Sequence, residues 1–178
     1  PSAQELRQQA LRSLERASPP LISIVTPVYN TEPQVLAQMI RSVIAQSYPY
    51  WELWLVNASP ENEAIDELIH RYSQNEARIN VLTLEHNLGI IENTNAGIAQ
   101  ACGDYVAFVD HDDLLTPFAL YEVAEAIAQH PDAGLFYSDS DLINQQGTTR
   151  SRPLFKPDWS PMIMLSSNYK IGRASCRE

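Results

Sequence analysis

The sequence predicts an α/β fold, a mostly parallel sheet flanked by helices. Two observations carry that reading. From Leu21 onward, short apolar runs rich in β-branched residues alternate with stretches of helical spacing. The runs are apolar at successive positions rather than at every second one, as strands covered on both faces must be.

The elements follow in order. Residues Gln4 to Arg16 (QELRQQALRSLER) space Leu6, Ala10 and Leu14 along one helical face, and Ser18-Pro19-Pro20 ends that lead-in helix. LISIVT, Leu21 to Thr26, is the first strand and runs into the loop PVYNTEP. Val35, Leu36, Met39, Ile40, Val43 and Ile44 then share a helical face. WELWLV, Trp51 to Val56, is the second strand, followed by the loop NASPEN and a helix marked by Ile65, Leu68, Ile69 and Tyr72. INVLTL is the third strand, and NLGIIENTNAGIAQACG is a glycine-bounded loop and helix. YVAFV is the fourth strand. Thr116 to His130 reads as a helix with Thr116 as cap and Pro117 in its first turn. AGLFYS is a fifth strand. Ligands of such sheets bind at the carboxyl ends of the strands. PVYN, NASPEN and DHDD should therefore be neighbours in space.

Three segments are expected: a lead-in helix and linker over 1–20, one domain over 21–169, and a tail over 170–178. The tail, KIGRASCRE, changes character, and its back-translation resembles a sequencing adapter, so Lys170 to Glu178 read as non-native. The chain starts at Pro1, and both ends read as cut. At 178 residues with 44% hydrophobic content it can build one sizeable core.

Asp and Glu total 22 against 12 Lys and Arg, a formal charge of -10. Nucleic acid is therefore not an expected partner, because binding it needs a basic face. An anionic ligand would need a counter-charge. The two cysteines, Cys102 and Cys176, have no metal-type spacing, and a reducing compartment fits them. No apolar run reaches the roughly 18 residues that span a bilayer, and no signal peptide is recognisable. The expected location is the cytoplasm, or the cytoplasmic face of the inner membrane reached through segments outside this one.

The chemistry-bearing element is Asp110-His111-Asp112-Asp113, directly after YVAFV. Two unit charges about 4 Å apart repel by around 4 kcal/mol at an effective dielectric of 20. A divalent cation reverses that penalty, and clustered carboxylate oxygens suit Mg²⁺ or Mn²⁺. The bland alternative is a solvated loop in which Asp113 caps the next helix. His111 could be a ligand or a general base, and a spacer between the acids is the favoured reading. Neither GxGxxG nor GxxxxGK[ST] is present, no Ser-His-Asp or Cys-His arrangement is recognisable, and Cys102 reads as a packing residue.

ISIVTPVYN, SVIAQSYPYWELWLV, HNLGIIENTNAGIAQACGDYVAFVDHDDLL, FYSDSD and FKPDWSPMIMLSSNY, in that order, resemble family 2 glycosyltransferases of the glycosyltransferase-A fold. The likeness is to bacterial members that build O-antigen, capsule or other surface polysaccharide, and it covers about Leu21 to Tyr169. It implies the Rossmann-like, nucleotide-sugar-binding half of that fold, a nucleotide-diphosphate sugar donor, a saccharide or lipid-linked acceptor, and Mn²⁺ or Mg²⁺. By position, Asp112 of the Asp-x-Asp motif becomes the leading metal ligand, with Asp110 at the ribose or the metal and His111 beside the donor. Pro27, Tyr29 and Asn30 would line the nucleotide pocket. Asn87, Gly89, Asn95 and Gly97 match a loop-helix element next to it, for which capping and tight turning are an equal explanation. Asp139 and Asp141 would lie towards the donor sugar or acceptor.

Two departures stand out. Many relatives carry an acidic pair after the second strand, one member of which contacts the base. This chain has Asn57-Ala58, and Asn57 alone can still hydrogen-bond a nucleotide. The carboxylate base that assists the acceptor hydroxyl in the family is expected in a following half of the domain, so the catalytic base is unassigned and this piece alone should be inactive. The resulting expectation is an inverting, metal-dependent glycosyltransferase of hexosyltransferase type. Its rivals are a sugar-phosphate nucleotidyltransferase, which usually has a glycine-rich basic loop that PVYNTEP lacks, and a non-catalytic scaffold domain.

Overall fold

The computed structural model describes residues 1–144 and 148–156, together with the backbone of 174–176. PDWSPMIMLSSNY, most of the segment read as a tail, and the side chain of Cys176 lie outside the described residues. The helices are α1 (Ala3–Leu14), α2 (Pro33–Ile44), α3 (Glu63–Asn75), α4 (Ile90–Gln100) and α5 (Ala119–Gln129). The strands are β1 (Ile22–Val28), β2 (Trp51–Asn57), β3 (Ile79–Thr83), β4 (Tyr105–Phe108), β5 (Leu135–Phe136), β6 (Ser140–Ile143), β7 (Arg150–Leu154) and β8 (Ala174–Cys176).

The main sheet has the order β3-β2-β1-β4-β8-β5. Its first four strands are parallel, and β8 is antiparallel to both neighbours. The expected fifth strand shrinks to two residues and is separated from β4 by β8, which falls in the segment read as a tail. β6 and β7 form a separate antiparallel hairpin.

The path of the chain follows from crossover handedness. It steps outward from β1 to β2 to β3, then returns past β1 to β4. Right-handed crossovers put the outward helices on one face and the returning helix on the other. One core accordingly packs Ile22, Ile24 and Val28 of β1 against Leu36, Met39 and Ile40 of α2 and Ile65 and Ile69 of α3; α5 joins the same face through Leu120, where handedness alone would send it to the other. On the opposite face Val25, Val56 and Val106 pack with Ala101 and Ile98 at the end of α4. β1 is buried almost throughout because both its faces and both its edges are covered.

Three expectations need correction. The first strand does not stop at Thr26 but continues through Pro27 to Val28. Proline is ordinarily excluded from a central strand because it donates no ladder bond. β4 pairs with β1 only from Ile22 to Val25, so Pro27 lies beyond that ladder and its missing N–H costs nothing there.

The last large helix does not begin at Thr116-Pro117. Those residues form a turn, with the Ala119 N–H donating to the Thr116 carbonyl, and α5 starts at Ala119. Its cap comes from far away: buried Gln46 accepts from the Leu120 N–H (3.0 Å) and donates to the Thr116 carbonyl (2.7 Å). Asp113 is no cap either; its N–H closes a turn onto the Asp110 carbonyl (3.1 Å).

Leu14 is not on the docked face of α1, being 58% exposed. That helix docks through polar groups instead. Ser13 is buried, Gln9 accepts from the Ser47 hydroxyl (2.8 Å), and Arg16 just after the helix pairs with Glu125 of α5. Its start is a capping box in which Ser2 and Glu5 satisfy each other's backbone N–H.

Candidate nucleotide-binding edge

The direction of travel reverses between β1 and β4, the position at which open α/β sheets bind ligands in a crevice beyond the strand ends. PVYN leaves β1 and DHDD leaves β4 at that position. His111 bridges them: its Nδ1 lies 3.3 Å from the Pro27 carbonyl. NASPEN is tied in from the other flank, because the Asn30 N–H donates to the Ser59 hydroxyl (3.2 Å) and the Ala58 N–H to the Val28 carbonyl (2.9 Å). The three loops are thus neighbours joined by direct hydrogen bonds.

Each candidate residue has a definite place. Tyr29 is 47% exposed, and Asn30 beside it is exposed with a left-handed backbone, φ 48°. Asp110 and His111 are half-buried, and Asp112 is exposed at the tip of the turn. Asn57 sits at the end of β2 but is fully buried. Its Oδ1 accepts from the Ser59 N–H (3.0 Å) and its Nδ2 donates to Asp66 (3.1 Å), so the amide faces inward. Ala58 is buried as well.

Asn87 and Gly89 form the turn before α4. The Asn87 Oδ1 accepts from the Gly89 N–H (2.9 Å), and Gly89 has φ 91°, which suits glycine although nothing crowds its Cα. Gly97 works differently: a Cβ there would lie 2.5 Å from Val25 and 2.7 Å from Val56, so it sets how closely α4 approaches β1 and β2. Asn95 is exposed on α4. The residue that wires this element together is Asn93, which is buried. It accepts from the Leu88 N–H (3.1 Å) and donates to Asn87 (2.8 Å). Asn93→Ala is expected to cost on the order of 1–2 kcal/mol, by removing both of these bonds from a buried side chain. A thermal melt checks it, and a variant melting with the wild type would contradict this wiring.

Asp139 and Asp141 are not part of the crevice's bonded framework. They belong to the β6–β7 hairpin region, where Asp139 accepts from the Lys156 N–H (2.8 Å) and Asp141 pairs with Arg150 (3.0 Å). Burial holds the Lys156 ammonium below its ordinary range, with Asp139 pulling the other way.

Sequence reasoning missed Ser59, Asp66, Asn93 and Gln46. Ser59 had a readable signal, since Asn57 two residues before it forms an Asx turn at a strand end. Asn93 bonds within its own loop-helix element, whereas Gln46 acts through partners some 70 residues further on and Asp66 through a strand end on the far side of a loop.

Among the described residues no three His, Cys, Asp or Glu side chains form a metal-holding group. Asp110 and Asp112 still fit one class of ion: Mg²⁺ or Mn²⁺ taking one or two carboxylates, with phosphate oxygens and water completing the shell. No helix among the described residues is long and apolar enough to cross a membrane.

Polar loops gathered at a reversal point are common to open α/β sheets, and the solved structures that superpose on this one narrow the fold to glycosyltransferase-A. A crystal structure of S. aureus TarS in complex with UDP-GlcNAc superposes with a TM-score of 0.58 at 26% identity, covering 65% of this chain and 33% of that one. Residues 23–175 match Glycosyl transferase family 2, and the chain belongs to that family. It is 39% identical over 162 residues to the O-antigen biosynthesis protein RfbC of Myxococcus xanthus, covering 91% of this chain and 12% of that protein. It is also 31% identical over 139 residues to the putative teichuronic acid biosynthesis glycosyltransferase TuaG of Bacillus subtilis (strain 168), covering 78% of this chain and 54% of that protein. The chain therefore spans from about an eighth to about half the length of these two relatives.

Proposed function

We propose that the protein transfers a sugar from a nucleotide-diphosphate donor to a saccharide or lipid-linked acceptor, with inversion at the anomeric carbon, in the synthesis of surface polysaccharide. The observation that carries this reading is the β1/β4 reversal point, where His111 Nδ1 meets the Pro27 carbonyl and Asp110 and Asp112 follow the strand end. Family membership supports the reaction class. The names of RfbC and TuaG support the polysaccharide context, and the UDP-GlcNAc bound to TarS supports a nucleotide-sugar donor.

In this reading Pro27, Tyr29 and Asn30 line the nucleotide, and the loop of Asn87 and Asn95 flanks it. Asp139 and Asp141 stand towards the sugar or acceptor. Base selection cannot come from the Asn57 amide, which is spent internally, nor from the side chain of Ala58. The aromatic face of Tyr29 and the backbone of these loops are left for it. Asp112, with Asp110, would hold Mn²⁺ or Mg²⁺ against the diphosphate. When bound, that ion neutralises charge developing on the departing nucleotide.

The test is turnover by the product of the uninterrupted gene. UDP- and GDP-linked sugars are offered singly, and release of free nucleotide is followed. Release from at least one donor is the expected result. Binding of UDP or GDP without turnover of any donor would favour the scaffold alternative, and no binding at all would overturn the reading.

A further inference from the structure

Asn30 is held in a conformation that non-glycine residues seldom adopt, φ 48°, although asparagine tolerates it better than most. Something must over-determine that geometry. The Asn30 N–H donates to the Ser59 hydroxyl (3.2 Å). The Ser59 N–H donates to Asn57 Oδ1 (3.0 Å), and Asn57 Nδ2 donates to Asp66 Oδ1 on α3 (3.1 Å). Ser59 is 3% exposed and Asn57 is 0% exposed, so the middle of this relay is shielded from water. Ser59 accepts with its hydroxyl and donates with its backbone N–H, so it joins the two ends mechanically; the Asn57 amide accepts and donates through one conjugated group, and its bond to the Asp66 carboxylate is charge-assisted. His70 Nε2, 3.5 Å from the same Asp66 oxygen, flanks the far end.

We propose that Ser59 and Asp66 are positioning residues that set the Tyr29–Asn30 loop from α3, and that residue 57 is an amide because its partner is the Asp66 carboxylate. The positioning role rests on the reading of that loop as part of the nucleotide pocket. The side chain at 57 must accept from the Ser59 N–H and donate to a carboxylate. An amide does both. An aspartate would accept from Ser59 but present a second carboxylate to Asp66 at about hydrogen-bond distance, where like charges repel strongly. The departure from the acidic pair of many relatives is thus matched by its neighbour on α3.

The test is a mutant cycle with an amide readout on the full chain. Asn57→Asp alone is expected to lower Tm by roughly 5 °C or more. Asp66→Asn alone should cost less. The double variant Asn57→Asp/Asp66→Asn, which exchanges donor and acceptor, should return most of the loss. Ser59→Ala should speed hydrogen exchange at the Asn30 amide and weaken UDP or GDP affinity, each roughly tenfold, and Ser59→Thr, which keeps the hydroxyl, should recover both. A double variant no better than Asn57→Asp, or unchanged Asn30 exchange in Ser59→Ala, overturns the relay. Faster exchange with unchanged nucleotide affinity overturns the positioning role. Failure of the unaltered chain to bind either nucleotide would sink the proposed function, while the cycle and the exchange rates would still decide whether the relay holds the loop.

Discussion

Gly103→Val is expected to lower the melting temperature by about 10 °C, the largest stability effect of any single substitution argued for this chain. Gly103 is buried in the turn between α4 and β4. A Cβ there would meet the Ser23 hydroxyl at 2.6 Å, the Leu21 carbonyl at 2.7 Å and the Ser23 N–H nitrogen at 2.8 Å. Two of those atoms are backbone at the start of the central strand, which cannot retreat without taking the sheet with it.

The same turn carries a polar cluster. The Gly103 N–H donates to the Ser23 hydroxyl (2.7 Å), which donates to Glu52 (2.5 Å), and the Cys102 N–H donates to that carboxylate too (2.7 Å). Overpacking costs about 1–3 kcal/mol, and separating these partners adds to it. A sum of about 3 kcal/mol or more corresponds to roughly 10 °C for a domain of this size. Gly134, where a Cβ would meet nothing within 4 Å, is the control, and Gly134→Ala should melt with the wild type. Calorimetric melts decide the matter; Gly103→Val melting within about 2 °C of wild type would mean that the turn can shift.

Cys102 is expected from sequence to be a packing residue, yet it is exposed and it is Gly103 beside it that is buried. YVAFV and LISIVT are recognisable as buried strands because a strand covered on both faces is apolar on both of them, a property each segment carries by itself even with Ser23 and Thr26 buried in the second. Convergence of PVYN, NASPEN and DHDD followed from topology alone, since parallel strands put all their carboxyl ends on one edge. The misreadings share a different cause. Local pattern puts the start of α5 too early, because its cap is Gln46, 74 residues before the N–H that it accepts, whereas Thr116-Pro117 only looks like a local start signal. Leu14 was assigned to a docking face on spacing, yet α1 docks through Ser13, Gln9 and Arg16, whose value depends on what Ser47 and Glu125 offer them. At the site, Asn57 was read as a nucleotide contact because an amide at a strand end can bond in any direction. Its direction is fixed by Asp66, which sequence does not place beside it.

Asp112→Ala is expected to abolish about 100-fold of metal-supported affinity for UDP or GDP while leaving the melting temperature unchanged. The pairing of those two outcomes is what makes the substitution informative. Asp112 is exposed at the tip of its turn, and exposed substitutions away from special features fall within about 0.5 kcal/mol. Asp110 is a poorer target, because it is half-buried and its loss would confound binding with folding.

The chain carries a formal charge of -10, and a diphosphate adds more of the same sign. Without a cation, a carboxylate about 4 Å from a phosphate oxygen is repelled by around 4 kcal/mol at an effective dielectric of 20. With a divalent ion between them, the same carboxylate becomes an attachment point. Disturbing the partners around a bound metal already costs about 10–100-fold in affinity, so losing a direct ligand belongs at or beyond the upper end.

Calorimetric titration of wild type and Asp112→Ala with UDP and GDP, each in Mn²⁺ and in EDTA, separates the contributions. Wild type should bind at least about 100-fold more tightly in Mn²⁺ than in EDTA, and the variant should lose that difference. Asp112→Asn, which keeps the shape but removes the charge, should behave like the alanine variant if charge is what holds the ion. Equal affinity across all of these conditions would mean that the β4 carboxylates face solvent for other reasons, and that the crevice takes its nucleotide, if it takes one, without an ion held at Asp112.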